Sequence, residues 1–187
     1  MKKVILMLAE GFEEIEAITV VDVLRRANIV CDMCSIDKES VTGAHNIAVK
    51  ADCHIDDINV LEYDAIVLPG GLPGATNLRD ERVAKFAKEL NDNGKIVAAI
   101  CAAPETLELF GLLKNKKCTS YPGFITNREE VTYIEDVVVV DDNIITSRGP
   151  ATSIIFGLTI MNELGYKEEA KEIKEGMMVN FYNKIVI

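Results

Sequence analysis

Residues 95–105 read Lys-Ile-Val-Ala-Ala-Ile-Cys-Ala-Ala-Pro-Glu, and here an uninterrupted apolar run, Ile96–Ile100, leads directly into Cys101. Continuous apolar runs are typical of strands that are covered on both faces of a parallel sheet. Pro104 suits the first turn of a helix, where the backbone N–H has no partner within the helix. The stretch therefore predicts a buried strand that turns sharply at Cys101 into a helix.

The same alternation of apolar runs and helical periodicity continues on both sides of this stretch. The other strand-like runs are Lys3–Leu8, 29–36, Ala65–Leu68, 137–140 and Ile144–Ser147. The helix-like stretches are 13–27, 79–93, 104–110, 151–164 and 168–179. Strands interleaved with helices predict an α/β fold, with a mainly parallel sheet and helices on both of its faces. Residues 41–50 predict an additional hairpin at an edge of the sheet.

This pattern also limits where a functional site can lie. No internal repeat, low-complexity tract or linker interrupts it, so we predict a single domain over residues 1–187. In open parallel sheets, ligands bind beyond the carboxyl ends of the strands. The segments that follow the predicted strands at that edge are 9–12, 69–74, 101–104 and 148–151.

Composition and charge exclude several classes of partner. The chain is 49% hydrophobic and carries a net charge of −10, from 20 Lys and Arg against 30 Asp and Glu. This charge argues against strong nucleic-acid binding and against docking on anionic membranes. No apolar run approaches the roughly 20 residues of a membrane-spanning helix. Glu10 interrupts the first apolar run before a secretory signal could form, so we predict a cytoplasmic protein with reduced thiols.

Cys101 is the strongest candidate nucleophile among the five cysteines. A nucleophile on a tight strand-to-helix turn needs small residues around it, and Ala99 and Ala103 occupy the two positions where such turns often carry glycine. The amino terminus of the following helix favours the thiolate and would lower the pKa of Cys101. From spacing alone, a buried cysteine that only fills space remains an equal alternative.

The other cysteines carry weaker signals. Cys31 and Cys34 form a C-x-x-C pair, but they lie within a predicted strand, where residues three apart point to opposite faces. This geometry argues against both a dithiol and a metal clamp. Cys53 and Cys118 belong to no motif, and we expect them to be packing residues.

Glu16 lies on a face of the first predicted helix that is otherwise apolar, because Val20, Val23 and Ala27 follow it at helical spacing. Burial on this face would raise the pKa of the carboxyl group and favour its protonated form. A neutral carboxyl can donate a hydrogen bond to a thiolate or carry protons. The alternative, a solvated glutamate in the first turn, describes Glu13 and Glu14 better than it describes Glu16.

The first helix is apolar on nearly every side, and a helix of this kind is expected to be covered on every side. One face can pack on the sheet. The other face favours contact with a second copy of the chain, so we predict a homodimer formed through this helix.

Gly70 and Gly71 follow the predicted strand Ala65–Leu68, and a turn at adjacent glycines can direct backbone N–H groups at an oxyanion. The loop matches neither a Walker loop nor a dinucleotide-binding fingerprint. The two histidines, His45 and His54, are not spaced for a metal site, so we predict neither a metal nor a cofactor. Tyr121 could reach the cleft as a hydrogen-bond donor.

Four ordered motifs resemble one known family over nearly the whole chain. They are LAEGFEEIEA (residues 8–17), VLPGGLPGA (67–75), AAICAAP (98–104) and TSRGPATS (146–153). Together they resemble the ThiJ/PfpI superfamily, and most closely its branch containing the Parkinsonism-associated protein deglycase and its bacterial relatives. The resemblance implies a flavodoxin-like α/β sandwich with a cysteine nucleophile at an elbow, in a protein that is usually a homodimer.

The resemblance also implies roles for individual residues. Cys101 matches the reactive, oxidation-prone cysteine, and Glu16 matches the protonated glutamate that hydrogen-bonds to it. Gly71 and Ala102 match residues whose N–H groups face the oxyanion site. The remaining matches are Arg26, which approaches the pocket of a neighbouring subunit, and Arg148 in a loop near the cleft.

This sequence departs from the family pattern at two positions. Members of the branch often carry a histidine near the cysteine, where this chain has Tyr121. The protease-like branch carries a Cys-His dipeptide, but here Ala102 follows Cys101, which argues against a peptidase.

Two functions follow from these observations. The first is a cofactor-free glyoxalase or deglycase, a lyase or hydrolase acting on methylglyoxal-type 2-oxoaldehydes or on their early adducts with proteins or nucleotides. The second is a redox sensor or stress chaperone, in which Cys101 is oxidised to a sulfinic acid and no substrate is turned over.

Overall fold

A computed structural model describes residues 1–127 and 129–184 of the chain, and a seven-stranded sheet lies at its centre. The strands are β1 (Lys3–Leu8), β2 (Val30–Ser35), β3 (Ser40–Thr42), β4 (Ala48–Lys50), β5 (Cys53–His54), β6 (Ala65–Leu68), β7 (Ile96–Ile100), β8 (Lys117–Cys118), β9 (Thr132–Tyr133), β10 (Val138–Asp141) and β11 (Ile144–Ser147). The α-helices are α1 (Glu14–Arg26), α2 (Gly74–Asn77), α3 (Glu81–Asp92), α4 (Ala103–Leu109), α5 (Ser153–Glu163) and α6 (Lys167–Gly176).

The central sheet has the strand order β10-β11-β7-β6-β1-β2-β5. All neighbouring strands in it run parallel except β10 and β11, which pair antiparallel. The side chains of β1 show how the sheet separates two layers. Ile5 and Met7 pack into the core beneath α3 and α4, while Val4, Leu6 and Leu8 pack into the core beneath α1 and α5. This arrangement confirms the predicted α/β sandwich with helices on both faces.

The strongest sequence patterns predicted their elements closely. The bounds of β1, β6, β7 and β11 coincide with the predicted runs, and the five long predicted helices are present with ends shifted by at most a few residues. The hairpin predicted for residues 41–50 exists as β3 and β4, but it forms a separate two-stranded sheet rather than an edge of the main one. The edge position is taken by β5, which is too short to produce a periodic pattern.

The parallel register brings four strand ends together at one edge of the sheet. Four strands, β11, β7, β6 and β1, are adjacent in the sheet in this order. Their last residues are Ser147, Ile100, Leu68 and Leu8. The loops that leave these ends therefore lie side by side, where parallel sheets place their sites. Among the described residues, no helix is both long and apolar enough to span a bilayer.

Candidate active site

Cys101 occupies a sharp turn between β7 and α4. Its N–H donates to the carbonyl oxygen of Ser147 at 3.0 Å, which extends the pairing of β7 with β11 by one residue. The backbone of Cys101 then adopts a positive φ of 63°, a left-handed conformation that costs an L-residue roughly 1–2 kcal/mol. Its carbonyl oxygen accepts the N–H of Tyr121 at 2.8 Å. The side chain is thus held, partly buried, at the edge where the strand ends meet.

The glycine loop after β6 is packed directly against this turn. A Cβ atom placed on Gly70 would lie 2.6 Å from Glu16 Oε2 and 2.8 Å from Cys101 Cβ, so no larger residue fits there without displacing both. Gly71 has a φ of +88°, a conformation that glycine adopts without strain. The N–H groups of Gly71 and Ala102 both interact with the Cys101 side chain. Two backbone donors therefore converge on the sulfur.

Glu16 reaches the same point from the first turn of α1. Its side chain is fully buried, and Oε2 accepts the N–H of Gly70 at 2.7 Å. The carboxyl group also interacts with the thiol of Cys101, while Oε1 has no other partner among the described residues. An oxygen buried in this way is satisfied when the carboxyl group carries a proton and can donate it.

The carboxyl group and the thiol share one environment, and each affects the ionisation of the other. Burial raises the pKa of Glu16 to about 7, and the hydrogen bonds from Cys101 and Gly70 offset this only in part. Burial also raises the pKa of the Cys101 thiol, and the Glu16 carboxylate raises it further. Two neighbouring negative charges in a buried site repel each other. Above about pH 7 the pair therefore holds a single proton, which lies mainly on the thiol, and the thiolate forms when this proton passes to Glu16.

The direction of the shift at Cys101 differs from the sequence-based expectation. The helix that follows it spans only Ala103–Leu109, and the N–H groups of Ala102 and Gly71 do lower the pKa of the thiol. Desolvation and the charge of Glu16 act in the opposite direction and outweigh them. Sequence periodicity could not reveal this, because the outcome depends on a carboxylate 85 positions away in the chain.

Tyr121 and Arg148 line a shallow cavity of about 250 Å³, next to the loops that bond to the Cys101 backbone. Tyr121 is bound to Cys101 through its backbone, and its ring packs edge-on against Phe124 at 6.2 Å between centroids. The guanidinium of Arg148 lies 3.9 Å from Glu135, and its Nη1 is buried without a hydrogen-bond partner among the described residues. The cavity therefore has an aromatic wall, whereas the unpaired Nη1 of Arg148 is buried rather than exposed in it.

Arg26 is a predicted site residue that the structure does not bring to Cys101 within a single chain. It lies in the last turn of α1 and donates through Nε to Asp22 at 2.8 Å. It lies ten positions after Glu16 in the helix, a distance of about 15 Å along the axis. Ile15 and Ile18 of the same helix are 55% and 38% exposed. The apolar surface on which the predicted dimer depends is therefore accessible.

A second polar cluster, which no sequence pattern predicted, lies close to Glu16. Glu14 was expected to be solvated, yet it is 6% exposed and accepts the N–H of His45 at 2.7 Å and its Nδ1 at 2.9 Å. Burial acts to raise the pKa of Glu14, but its hydrogen bonds to His45 and to backbone N–H groups hold that pKa below its usual range. No local sequence pattern could reveal this contact, because His45 lies far from Glu14 in the chain and approaches it from the β3–β4 hairpin.

This cluster contains the donor set most suited to a metal among the described residues. Glu13, Glu14 and His45 each offer a ligand atom within 4.8 Å of the others. The Glu14 carboxylate, however, is already satisfied by His45 and by the N–H of Ile47. We therefore describe it as a hydrogen-bond network that fixes the hairpin against the first turn of α1.

Comparison with known proteins yields consistent matches. Residues 2–163 match the DJ-1/PfpI family. The chain is 37% identical over 183 residues to DJ-1 homolog A of Arabidopsis thaliana, covering 95% of this chain and about half (47%) of that protein. It is 35% identical over 151 residues to a protein named deglycase from Pyrococcus horikoshii, and the match covers 80% of this chain and 91% of that protein. A structure of oxidized DJ-1 from Toxoplasma gondii superimposes with a TM-score of 0.90 at 37% sequence identity, and the match covers 95% of this chain and 98% of that one.

Proposed function

The chain belongs to the DJ-1/PfpI family, and on this basis we propose that it is a cofactor-free glyoxalase or deglycase that acts through the Cys101 thiolate. The substrates are 2-oxoaldehydes such as methylglyoxal, or their early adducts with amines of proteins or nucleotides. One observation carries the proposal: a thiol, a carboxyl group with a pKa of about 7 and two backbone N–H donors converge at one point. The relative named deglycase supports it.

The first step is the addition of Cys101 to the aldehyde carbon. The sulfur–carbon bond forms, and the proton held by Glu16 moves to the aldehyde oxygen, which leaves a hemithioacetal. The N–H groups of Gly71 and Ala102 stabilise the negative charge that develops on this oxygen. In an early adduct, the sulfur attacks the carbon that bears the amine, the carbon–nitrogen bond breaks, and the amine leaves with the proton held by Glu16.

The second step moves a proton between the two carbons of the substrate. The Glu16 carboxylate removes the proton from the former aldehyde carbon, and an enediolate forms. The proton returns to the neighbouring carbon and the hydroxyl proton passes to the oxygen of that carbon, which yields a 2-hydroxyacyl thioester on Cys101. Water then attacks the thioester and releases a 2-hydroxy acid, which is lactate for methylglyoxal. Two electrons pass from one substrate carbon to the other, so the step requires no external redox partner.

Assaying the purified protein tests this proposal directly. We expect the wild-type chain to consume methylglyoxal and to form lactate in equal amounts, without added thiol, metal or cofactor. Both compounds should be measured, because methylglyoxal also disappears by reacting with surface lysine and arginine side chains. Loss of methylglyoxal without lactate in a folded protein would contradict the proposal.

A second candidate function is redox sensing or stress chaperoning, in which Cys101 is oxidised and no substrate is turned over. The similarity to a DJ-1 structure described as oxidized favours it, and a protonated Glu16 could donate to a sulfinate. Titration with hydrogen peroxide followed by mass spectrometry separates the two functions. Sulfinate confined to Cys101 in a protein without turnover would favour sensing.

Dimerisation through α1 is part of the same proposal, because it gives Arg26 access to a partner's pocket. We expect the wild-type chain to sediment as a dimer and Ile18→Glu to sediment as a monomer at micromolar concentration, since a charge cannot be buried in an apolar interface. Leu61→Glu, which alters an apolar residue that is 44% exposed elsewhere, is the matched control and should remain dimeric. Arg26→Ala should stay dimeric but lose about tenfold in kcat/KM, the cost of roughly one hydrogen bond to a charged group. A fully active wild-type monomer would contradict this arrangement.

A further inference from the structure

Cys34 and Cys53 are two cysteines that the proposed function does not use. Cys34 lies in β2 and Cys53 in β5, and they are directly aligned in the parallel pairing of these strands. Side chains at aligned positions project from the same face of a sheet, and neighbouring strands lie about 4.8 Å apart. This spacing falls within the separation of about 4.4–6.8 Å between Cα atoms that disulfides require.

The side chains bring the two thiols close to each other. Each thiol affects the ionisation of the other, while Cys34 Sγ donates to the carbonyl oxygen of Ser35 at 3.7 Å and Cys53 Sγ donates to that of Met33 at 4.0 Å. Cys31, the other half of the C-x-x-C pair, packs into the core on the opposite face of the sheet. The sequence-based expectation that Cys31 and Cys34 cannot pair is therefore correct, but the expectation that Cys53 only fills space overlooked its cross-strand neighbour.

The two cysteines differ in access to solvent. Cys53 is partly exposed and lines a surface cavity of about 430 Å³, together with Lys50, Asp52 and His54. Cys34 is fully buried behind it. A small molecule that enters the cavity therefore meets Cys53 first, and Cys34 is positioned to react with whatever forms on Cys53.

We propose that Cys34 and Cys53 form a reversible disulfide by exchange with small, uncharged disulfides. The Cys53 sulfur attacks one sulfur of the reagent, whose S–S bond breaks, and a mixed disulfide and one free thiol result. Cys34 then attacks the Cys53 sulfur, which forms the Cys34–Cys53 bond and releases the second half of the reagent as a thiol. The two cysteines lose two electrons, and their two protons end on the two released thiols.

The surroundings of the pair determine which reagents react and how fast. Burial raises the pKa of both thiols, and Asp32 adds to this at each of them, while Arg82 of α3 opposes it at Cys34. Asp52 acts in the same direction as Asp32 at Cys53. Exchange should therefore be slow at neutral pH and faster in alkaline buffer, where more thiolate is present. The nearby carboxylates should also slow anionic disulfides relative to neutral ones.

The disulfide would act on the edge of the sheet rather than on Cys101. It would fasten the two-residue strand β5 to β2 and close a loop of about 20 residues that contains the β3–β4 hairpin. Cross-links of this size stabilise a folded protein mainly by restricting the unfolded chain. We expect the oxidised form to unfold at a temperature about 5 °C higher than the reduced form.

Peptide mapping of the folded protein tests the inference. The full chain is incubated with 2-hydroxyethyl disulfide at pH 8.5, quenched with acid, alkylated and digested, and its disulfides are identified by mass spectrometry. We expect a Cys34–Cys53 linkage in the wild type and in Cys31→Ala, and none in Cys53→Ala. The higher unfolding temperature should appear in the first two proteins and be absent from the third.

Two results would overturn the inference, and neither depends on the variants folding. One is a wild-type protein in which Cys53 stays attached to the reagent while Cys34 is alkylated as a free thiol. The other is a linkage between Cys53 and any cysteine other than Cys34. Because the mapping does not involve turnover at Cys101, its failure is distinguishable from failure of the proposed enzymatic function.

Discussion

Cys101→Ala should lower kcat/KM for methylglyoxal at least about a thousandfold, because it removes the only atom that can form the covalent intermediate at the centre of the site. The N–H groups of Gly71 and Ala102 would remain, together with Glu16, and the residual rate would measure what they contribute without the sulfur. The rate of lactate formation is measured at saturating and at limiting concentrations of methylglyoxal. We expect kcat to fall as well, because the lost step is chemical rather than binding.

The control for this variant must separate lost chemistry from lost folding. Cys31→Ala removes a cysteine that is 1% exposed and lies on the opposite strand face from Cys34, so it perturbs packing without touching the site. It should retain wild-type turnover. A Cys101→Ala protein that still forms lactate at the full rate would eliminate Cys101 as the nucleophile and remove the basis of the proposed function.

Glu16→Gln should lower kcat by about a hundredfold to ten-thousandfold, the usual range for loss of a positioned proton carrier. The amide can still accept the N–H of Gly70 and can donate to the sulfur, so the position of Cys101 should be preserved. It cannot ionise, so it can neither take nor return the substrate proton. Absorbance of the thiolate near 240 nm should show Cys101 ionising at lower pH in this variant, because the charge that raises its pKa is gone.

The same variant should change how stability depends on pH. The pKa of Glu16 is raised to about 7 in the folded protein from an ordinary value of 4.5, so the folded state binds more protons than the unfolded state between these values. Stability therefore falls as pH rises from about 4.5 to 7, by about 3 kcal/mol for a shift of this size. Glu16→Gln should abolish this fall in stability, because the amide does not titrate. Any loss of unfolding free energy from burying the amide should be the same at every pH.

Urea unfolding at pH 5 and pH 8 measures this difference. Glu172→Gln, which alters an exposed glutamate of α6, is the matched control and should keep the wild-type dependence on pH. Equal dependence on pH in Glu16→Gln and wild type would show that Glu16 is ionised normally in the folded protein. In that case the carboxyl group could not hold the proton that the mechanism assigns to it.

The sequence alone determined the longer strands and helices of the fold and the residues at their ends, but not short elements such as β5, β8 and β9. The run Ile96–Ile100 is apolar at every position and is followed by Cys101 and, three residues later, by Pro104, so a buried strand and a following helix were predictable from local pattern. The position of Glu16 among apolar neighbours likewise predicted its burial, which the structure confirms. These features depend on residues within a few positions of each other, so short-range periodicity in the sequence is sufficient to predict them.

Only the tertiary structure decided which distant residues meet and what they do to each other. The parallel register of β6 and β7 and the packing of α1 place Cys101 in contact with Glu16 and Gly70. The resulting desolvation raises the pKa of the thiol, whereas the sequence predicted that this pKa would be lowered. Cys53 faces Cys34 for the same kind of reason, through the pairing of two short strands. Ionisation and thiol pairing depend on burial and on charges brought from far along the chain, so no local pattern in the sequence can encode them.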